Sequence, residues 1–369
     1  MQPYGAILSR RQQKYLPILI ENRIFAPSME VITEFYPLLS TPKNVVITMH
    51  QKPDGDALGS TLALSHFLRK LGFSTHVISP TNWASFLGWL PGCKEVIDYE
   101  TDIALSTSLI DGADLIFCLD FNVFTRTKNM APLLEKSNAT KVLIDHHEEP
   151  QKEAFRYGIS DTNKSSTSEM VYDFIAGAGY AGWIDVDMAT CMYTGIMTDT
   201  GAFRFPSTKA SVHQIVTHFK QIGLDHTAIH ERVYDSFCET RLRFLGNALL
   251  NRMEVFYQYN TAIMVIPRTD LVHFNTQTGD TEGLVNYMLA LEGIKFAAIV
   301  IDREANARKW SFRSKGLFDV NKFARDHFSG GGHKNAAGGI SSEPLEVTVK
   351  KFKQVLKDYE GELSEPYQY

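Results

Sequence analysis

Four short segments of this sequence carry side chains that can bind a divalent cation. The first is His50-Gln-Lys-Pro-Asp54-Gly-Asp56-Ala57, an imidazole followed by two carboxylates two residues apart. Alone, such a string also serves as a polar turn, with Gly55 supplying a bend that faces both acids inward. The second is Asp120, which ends the apolar run 115–119; the third is Asp145-His146-His147, which ends the apolar run 141–144. A lone Asp there can cap the next segment, but two adjacent histidines after a buried strand need polar partners for both rings. The fourth is Asp199 in Thr198-Asp-Thr-Gly-Ala-Phe-Arg204, at the end of an apolar helical pattern. An acid in that position opposes the negative end of the helix dipole, which argues for a nearby cation. His50, Asp54, Asp56, Asp120, His146 and Asp199 thus form a set of imidazoles and carboxylates without thiolate. That set suits Mn2+ or Mg2+, and the nitrogen ligands favour Mn2+. Six ligands exceed the needs of one catalytic ion; two ions ~3.5–4 Å apart, sharing a carboxylate, serve in-line attack on phosphorus.

These residues need a scaffold that gathers them. The run 44–49 reads as a strand, 57–71 has helical apolar spacing closed by Gly72, and 75–79 reads as a second strand. A βαβ beginning of this kind builds a parallel sheet covered on both faces. The runs 115–119 and 141–144 add buried strands, and ligands of such sheets bind beyond the strands' carboxyl ends. Helical patterns follow at 165–176, 186–198 and 209–222, and a long one at 239–256 reads as a connector. Beyond it, strands at 261–266, 296–301 and 309–313 and helices at 284–291, 320–327 and 347–359 restart an α/β pattern. GGGHKNAAGG at 330–339 reads as a glycine-rich loop. The expected fold class is therefore α/β: an N-terminal extension (1–40, with Met29 as a candidate native start), a doubly wound parallel-sheet domain (41–238), a connector helix (239–256) and a smaller mixed α/β domain (257–369). The active site is expected in the interdomain cleft.

Composition sets the outer bounds. The 369 residues include 37 Lys+Arg against 42 Asp+Glu, a net charge of −5. That balance excludes a broad basic face of the kind that tracks long nucleic acid, but permits a few local cations to hold a small phosphorylated substrate. Cys93, Cys118, Cys191 and Cys238 are far apart with no CxxC, which excludes a zinc ribbon and fits a reducing compartment, the cytoplasm. No apolar run reaches the ~18–20 residues of a membrane span.

The four motifs, present and in order, resemble the DHH phosphoesterase superfamily, named for the triplet Asp145-His146-His147. GGGHKNAAGG resembles its companion domain, DHHA1, and the resemblance covers roughly 41–360. It implies that His50 and Asp54 hold one metal ion, that Asp56, His146 and Asp199 hold the other, and that Asp120 bridges them. It also implies that Asp145 supports the site, that His147 faces the scissile phosphate, and that a hydroxide shared by the ions is the nucleophile. In the second domain, Arg313 and Ser314 of Ser311-Phe-Arg-Ser, with Gly331, Gly332 and His333, are the implied substrate clamp. Arginine offers a two-pronged fork and a glycine-lined turn offers N–H groups to an anion. Arg204 either neutralises a substrate oxygen or pairs with a carboxylate.

The sequence lacks the SRKK-like signature of family-II inorganic pyrophosphatases. It begins its first motif with His50 and has no room for the nucleic-acid domain of RecJ-type exonucleases. The resemblance therefore points to the nanoRNase/oligoribonuclease group. The implied activity is metal-dependent hydrolysis of short 5′-phosphorylated oligoribonucleotides or dinucleotides to nucleoside 5′-monophosphates, extending to 3′-phosphoadenosine 5′-phosphate. The alternatives are a cyclic-dinucleotide phosphodiesterase and a non-catalytic nucleotide sensor. The expected partner is a short nucleotide, with neither long nucleic acid nor membrane; the sequence leaves oligomeric state open, with a homodimer as one option.

Overall fold

The structure is a computed structural model and describes residues 29–303 and 307–367. The segment 1–28 lies outside the described residues, which begin at Met29. Seven strands form the first sheet: β1 (Glu30–Val31), β2 (Asn44–Thr48), β3 (Ser74–Ser79), β4 (Ile97–Asp98), β5 (Leu115–Leu119), β6 (Thr140–Asp145) and β7 (Tyr157–Ser160). Their order is β1-β7-β6-β5-β2-β3-β4, and every pairing is parallel. Leu115–Leu119 is buried at every position, as a strand covered on both faces requires. The chain runs outward from β2 through β3 to β4, then returns to β5 and runs the other way. Strands β2 and β5 are neighbours at this reversal, so a crevice opens beyond their carboxyl ends.

Residues 29–40, read from the sequence as the end of an extension, pack into this first layer. Glu30–Val31 pairs with β7, and Ile32, Phe35 and Leu39 of the following 3-10 turn are buried in the main core. Phe35 meets Phe117 edge-on, with ring centroids 5.3 Å apart.

The second sheet contains β8 (Met253–Phe256), β9 (Thr261–Ile266), β10 (Phe296–Asp302), β11 (Arg308–Ser314), β12 (Gly331–His333) and β13 (Ala336–Ser341), in the order β12-β13-β11-β10-β9-β8. Only β9 and β10 pair in parallel, so the sheet is mixed. One face packs Trp310, Phe312, Phe323, Phe328 and Phe352 into an aromatic core.

Two sequence expectations change here. The helix of the connector spans Glu239–Asn251, and Met253–Phe256 leaves it to become the edge strand β8. The helix buries Phe244 and Ala248 against Ala262, Met264 and Ile299, so it covers one face of the second sheet while Leu250 stays exposed. The glycine-rich run is a hairpin, β12 and β13 joined at Lys334-Asn335, and not a loose loop. Its turn is pinned where the N–H groups of Val320 and Ser314 donate to the carbonyls of Lys334 and Asn335, at 2.8 and 3.1 Å. Among the described residues, no helix is long and apolar enough to cross a membrane.

Candidate metal centre

The loop after β2 delivers His50 and Asp54, and helix α1 (Gly55–Lys70) begins there. Asp54 is the cap of α1: its Oδ1 accepts from the N–H groups of Asp56 and Ala57 at 3.0 and 3.1 Å. Its second oxygen stays turned toward His50, with Nε2 at 3.8 Å. The His50 ring is oriented by Nδ1 against the Gln51 carbonyl at 2.8 Å, which leaves Nε2 for the site. Gly55 does not supply a bend. It is the first residue of α1, and a side chain there would collide with Thr198.

The same close approach recurs along the crossing of α1 with the helix Val186–Asp199. A Cβ on Gly59 would overlap the Cys191 carbonyl, and one on Gly195 would overlap Ser168 Oγ and stand 2.7 Å from Asp56 Oδ1. Three glycines thus let two backbones approach closely enough to place Asp56, at the start of one helix, beside Asp199, the last residue of the other.

Asp56 is fully buried. Its Oδ1 accepts from the Ser168 N–H at 2.8 Å and its Oδ2 from the Thr167 N–H at 2.6 Å, at the N-terminal end of the helix Thr167–Gly177. Asp120 follows β5 in the left-handed backbone region, at φ 62°, held by an N–H bond to the Ile144 carbonyl. This turn aims its carboxylate into the crevice. Oδ2 lies 3.4 Å from His50 Nε2, and Oδ1 lies 3.5 Å from His146 Nε2 and accepts from Thr167 Oγ1 at 3.0 Å. His146 Nε2 is also 3.3 Å from Asp199 Oδ2 and 3.9 Å from Asp56 Oδ2. Among the described residues donor atoms gather in four overlapping groups: His50–Asp54–Asp120 and Asp56–His146–Asp199, with Asp120 facing both, and beside them Asp120–Asp145–His147 and His146–His147–His333.

The charges respond to this crowding. Burial and the neighbouring Asp120 push the Asp56 carboxyl up to about 7. Burial, then Asp56, drives Asp199 well above the carboxylate range. Burial opposes ionisation of Asp120, but His146 and His50 outweigh it and hold that carboxyl well below its usual value. Burial also disfavours charge on His146, yet Asp120, Asp199 and Asp56 raise it well above the imidazole range. Several carboxylates compete for too few imidazolium charges, and this donor set of four acids and two imidazoles without sulfur fits hard divalent ions. His50, Asp54 and Asp120 would hold one ion; Asp56, His146, Asp199 and Asp120 would hold a second.

His147 points elsewhere than its neighbour. Its Nδ1 bonds Asp145 Oδ1 at 2.8 Å, and Asp145 is wholly buried at the end of β6. Burial lowers the His147 pKa, a shift opposite in direction to that of His146. The second domain closes over it: the His333 ring stacks on His147 with centroids 4.7 Å apart and 24° between planes, and lies 4.8 Å from His146. Burial, then His147 and His146, drive His333 far below the usual imidazole range.

The other substrate candidates separate by face. Strand β11 alternates: Trp310 and Phe312 point into the core, while Lys309, Ser311 and Arg313 take the opposite face. Burial disfavours charge on the Arg313 guanidinium, while Asp199, Glu282 and Asp54 favour it. Ser314 lies on the core side, buried, with its hydroxyl donating to the Phe318 carbonyl at 2.6 Å and accepting from Asn335; Ser311, not Ser314, shares the face of Arg313. The Gly332 N–H is already committed to Asn321 Oδ1 at 2.9 Å, so it is not a free anion donor. Gly332 instead permits close pairing, since a Cβ would stand 2.5 Å from the Ala336 carbonyl. Gly331 pairs with Gly338 in the hairpin. Arg204 is exposed and donates Nε to the Gly201 carbonyl at 2.6 Å, on a turn where Gly201, Ala202 and Phe203 are all left-handed.

Two features escaped the sequence reading. Thr167 orients Asp56 and Asp120 from 111 and 47 positions away, and Ser168 orients Asp56 from 112. Arg126, in the 3-10 segment Phe124–Met130 after β5, acts electrostatically on His50, His147 and His333. An Arg six residues beyond Asp120 was the available signal.

Comparison with known proteins agrees with this geometry. Residues 44–196 match the DHH family, N-terminal domain, and residues 257–364 match the DHHA1 domain. The crystal structure of an exopolyphosphatase-related protein from Bacteroides fragilis is 37% identical, with a TM-score of 0.85 over 90% of this chain and 97% of that one. The bifunctional oligoribonuclease and PAP phosphatase NrnA of Bacillus subtilis is 27% identical over 83% of this chain and 92% of its own length. Its namesake from Thermus thermophilus is 27% identical over 84% and 87%. With both domains matched in order and the His and Asp motifs gathered in one crevice, the chain belongs to the DHH/DHHA1 superfamily of phosphoesterases.

Proposed function

We propose that this protein is a metal-dependent phosphoesterase that hydrolyses short oligoribonucleotides or dinucleotides to nucleoside 5′-monophosphates, and also 3′-phosphoadenosine 5′-phosphate. One observation carries the reading: Asp120 faces two groups of metal donors while His333, from the other domain, stacks on His147 above them. The names of the Bacillus and Thermus relatives support the same substrate class.

Bound divalent ions would polarise the phosphoryl oxygens and lower the pKa of water. The chain's own residues supply the rest. Asp145 fixes the His147 ring through Nδ1 and favours its protonated form, so that Nε2–H can donate to a phosphate oxygen or the leaving group. Arg126 and Arg313, which interact electrostatically with the site's imidazoles and carboxylates, would serve as cations for the phosphates. His333 covers the imidazoles and excludes water. Mn2+ is the assigned preference, supported by two imidazoles in the set. We place the activity in the cytoplasm, where the four free cysteines stay reduced.

The test is a turnover panel with Mn2+ or Mg2+ on pApA, pGpG, short 5′-phosphorylated RNA, 3′-phosphoadenosine 5′-phosphate, cyclic di-AMP and polyphosphate. Release of monophosphates from pApA and short RNA, lost in Asp120→Ala, is expected. Tight binding of pApA without turnover would establish a sensor instead, and activity confined to cyclic di-AMP would establish the cyclic-dinucleotide reading.

A further inference from the structure

The residues that follow the DHH triplet reach directly into the second domain. Glu148 and Glu149 come immediately after His147, and Glu149 sits in the left-handed region at φ 55°. Across the cleft stands Asn321, buried at 6% exposure in the helix Val320–Phe328. Its amide nitrogen donates to Glu148 Oε2 at 2.7 Å. Its amide oxygen accepts twice, from the Gly332 N–H at 2.9 Å and from Arg325 Nε at 3.1 Å. Arg325 in turn donates to both oxygens of Glu149 at 2.7 Å. One buried side chain is therefore bonded at once to the residue after His147 and to the residue before His333, the two rings that stack on each other.

We propose that Asn321 is a positioning residue that couples domain closure to the active-site geometry, by holding the Glu148 loop and the Gly331–His333 strand in one hydrogen-bonded unit. This rests on the reading of the cleft as the site of hydrolysis. Opening the domains must break the Asn321–Glu148 bond and unstack His333 from His147 together, because the same amide holds both ends. The Arg325–Glu149 pair adds little by itself, since its side chains are 38% and 68% exposed and such pairs contribute weakly in water. The coupling therefore resides in the buried amide, whose loss strands a carboxylate and an N–H.

The polarity of the bond provides the test. Asn321→Asp keeps the acceptor for Gly332 and Arg325 but sets a carboxylate against Glu148; adding Glu148→Gln restores a donor on the other side. With pApA and Mn2+, Asn321→Asp is expected to lower kcat/KM at least tenfold, and the Asn321→Asp/Glu148→Gln pair to recover to within about threefold of wild type. A second arm uses no substrate: Glu148→Ala, a change in the first domain, is expected to speed amide hydrogen exchange across residues 331–333 in the second while leaving β2 and β5 protected. The proposal is overturned if exchange at 331–333 is unaltered in Glu148→Ala, or if the paired variant is no better than Asn321→Asp alone. A wild type that turns over no nucleotide defeats the functional reading, and the exchange arm still decides the coupling.

Discussion

Thr167 donates its hydroxyl to Asp120 Oδ1 at 3.0 Å, linking the start of a helix to the carboxylate that faces both groups of metal donors. The same residue gives its backbone N–H to Asp56 Oδ2. Replacing the hydroxyl by a methyl of the same shape removes the Asp120 bond and leaves the Asp56 bond in place. Partners that orient metal ligands commonly contribute about 10–100-fold in affinity or activity. Thr167→Val is therefore expected to weaken Mn2+ binding about tenfold by calorimetry while the protein stays folded. Unaltered affinity would mean that the turn at Asp120 alone orients its carboxylate.

Asp145 acts on the reaction through His147. With Oδ1 accepting from Nδ1 at 2.8 Å, the carboxylate fixes the ring plane, keeps a proton on Nδ1 and turns Nε2 toward the site. An amide in its place can present its NH2 to Nδ1 and select the opposite tautomer. Asp145→Asn should lower kcat on pApA by about 10–100-fold, with a smaller effect on Mn2+ affinity, because in the proposed arrangement His146 and not His147 supplies the imidazole ligand. An equal loss of metal binding would place His147 among the ligands.

Arg126 is the cation the motif reading overlooked. It acts electrostatically on His50, His147 and His333 from the segment that follows β5. A guanidinium grips a phosphate with a planar fork that an ammonium cannot reproduce. Arg126→Lys keeps the charge and should still lower kcat/KM about tenfold on pApA, with Arg126→Ala lower again. Identical kinetics for wild type and Arg126→Lys would reduce its role to bulk charge.

How far the sequence disclosed this site follows from the physics of each residue. His50, Asp54, Asp120, Asp145 and His146 were legible because each ends a buried parallel strand or the loop beyond it, where apolar runs stop abruptly. Asp199 was legible as an acid against a helix dipole. Asp56 was legible as an acid, but its bonds to Thr167 and Ser168 join segments more than a hundred residues apart, and no local pattern encodes them. Ser314 was misplaced because strand alternation puts it with Trp310 and Phe312, whereas Ser311 shares the face of Arg313. The glycine run read as a loop because glycine weakens strand propensity. The hairpin forms because Gly330 and Gly332 leave room for the paired strand's carbonyls.

The segment that orients Asp56 and Asp120 is itself held by Glu169. This carboxylate accepts from the Ser165 N–H and hydroxyl at 2.8 Å, from Ser211 Oγ, and from Lys164 Nζ at 3.1 Å. Burial would raise its pKa, but the two Ser165 bonds and Lys164 outweigh burial and hold it below the usual value. A carboxyl depressed in the folded state stabilises the fold above its unfolded pKa, about 4.3, and loses that contribution as pH falls through the folded value. Glu169→Gln should therefore lower stability by about 2 kcal/mol at pH 7. The gap from wild type should narrow as the pH is brought below about 4. Denaturant unfolding across that range checks it; a gap independent of pH would show that packing, and not the charge, is what the substitution removes.

The crossing of α1 with the helix Val186–Asp199 gives the sharpest steric prediction. A methyl on Gly195 has no room: it would overlap Ser168 Oγ and press on Asp56 Oδ1 at 2.7 Å. Neither neighbour is free to yield, since Asp56 is held by two backbone N–H bonds and Ser168 lies fully buried. The helices must separate, and that moves Asp199 away from His146. Overpacking of this kind costs about 1–3 kcal/mol. Gly195→Ala should lower the unfolding midpoint and also weaken Mn2+ binding. Adding Ser168→Ala removes the severest overlap while the Asp56 contact stays. The paired variant should regain most of the stability but less of the metal affinity. If both recover together, Ser168 alone sets the helix spacing; if stability never falls, the crossing is looser than the three glycines imply.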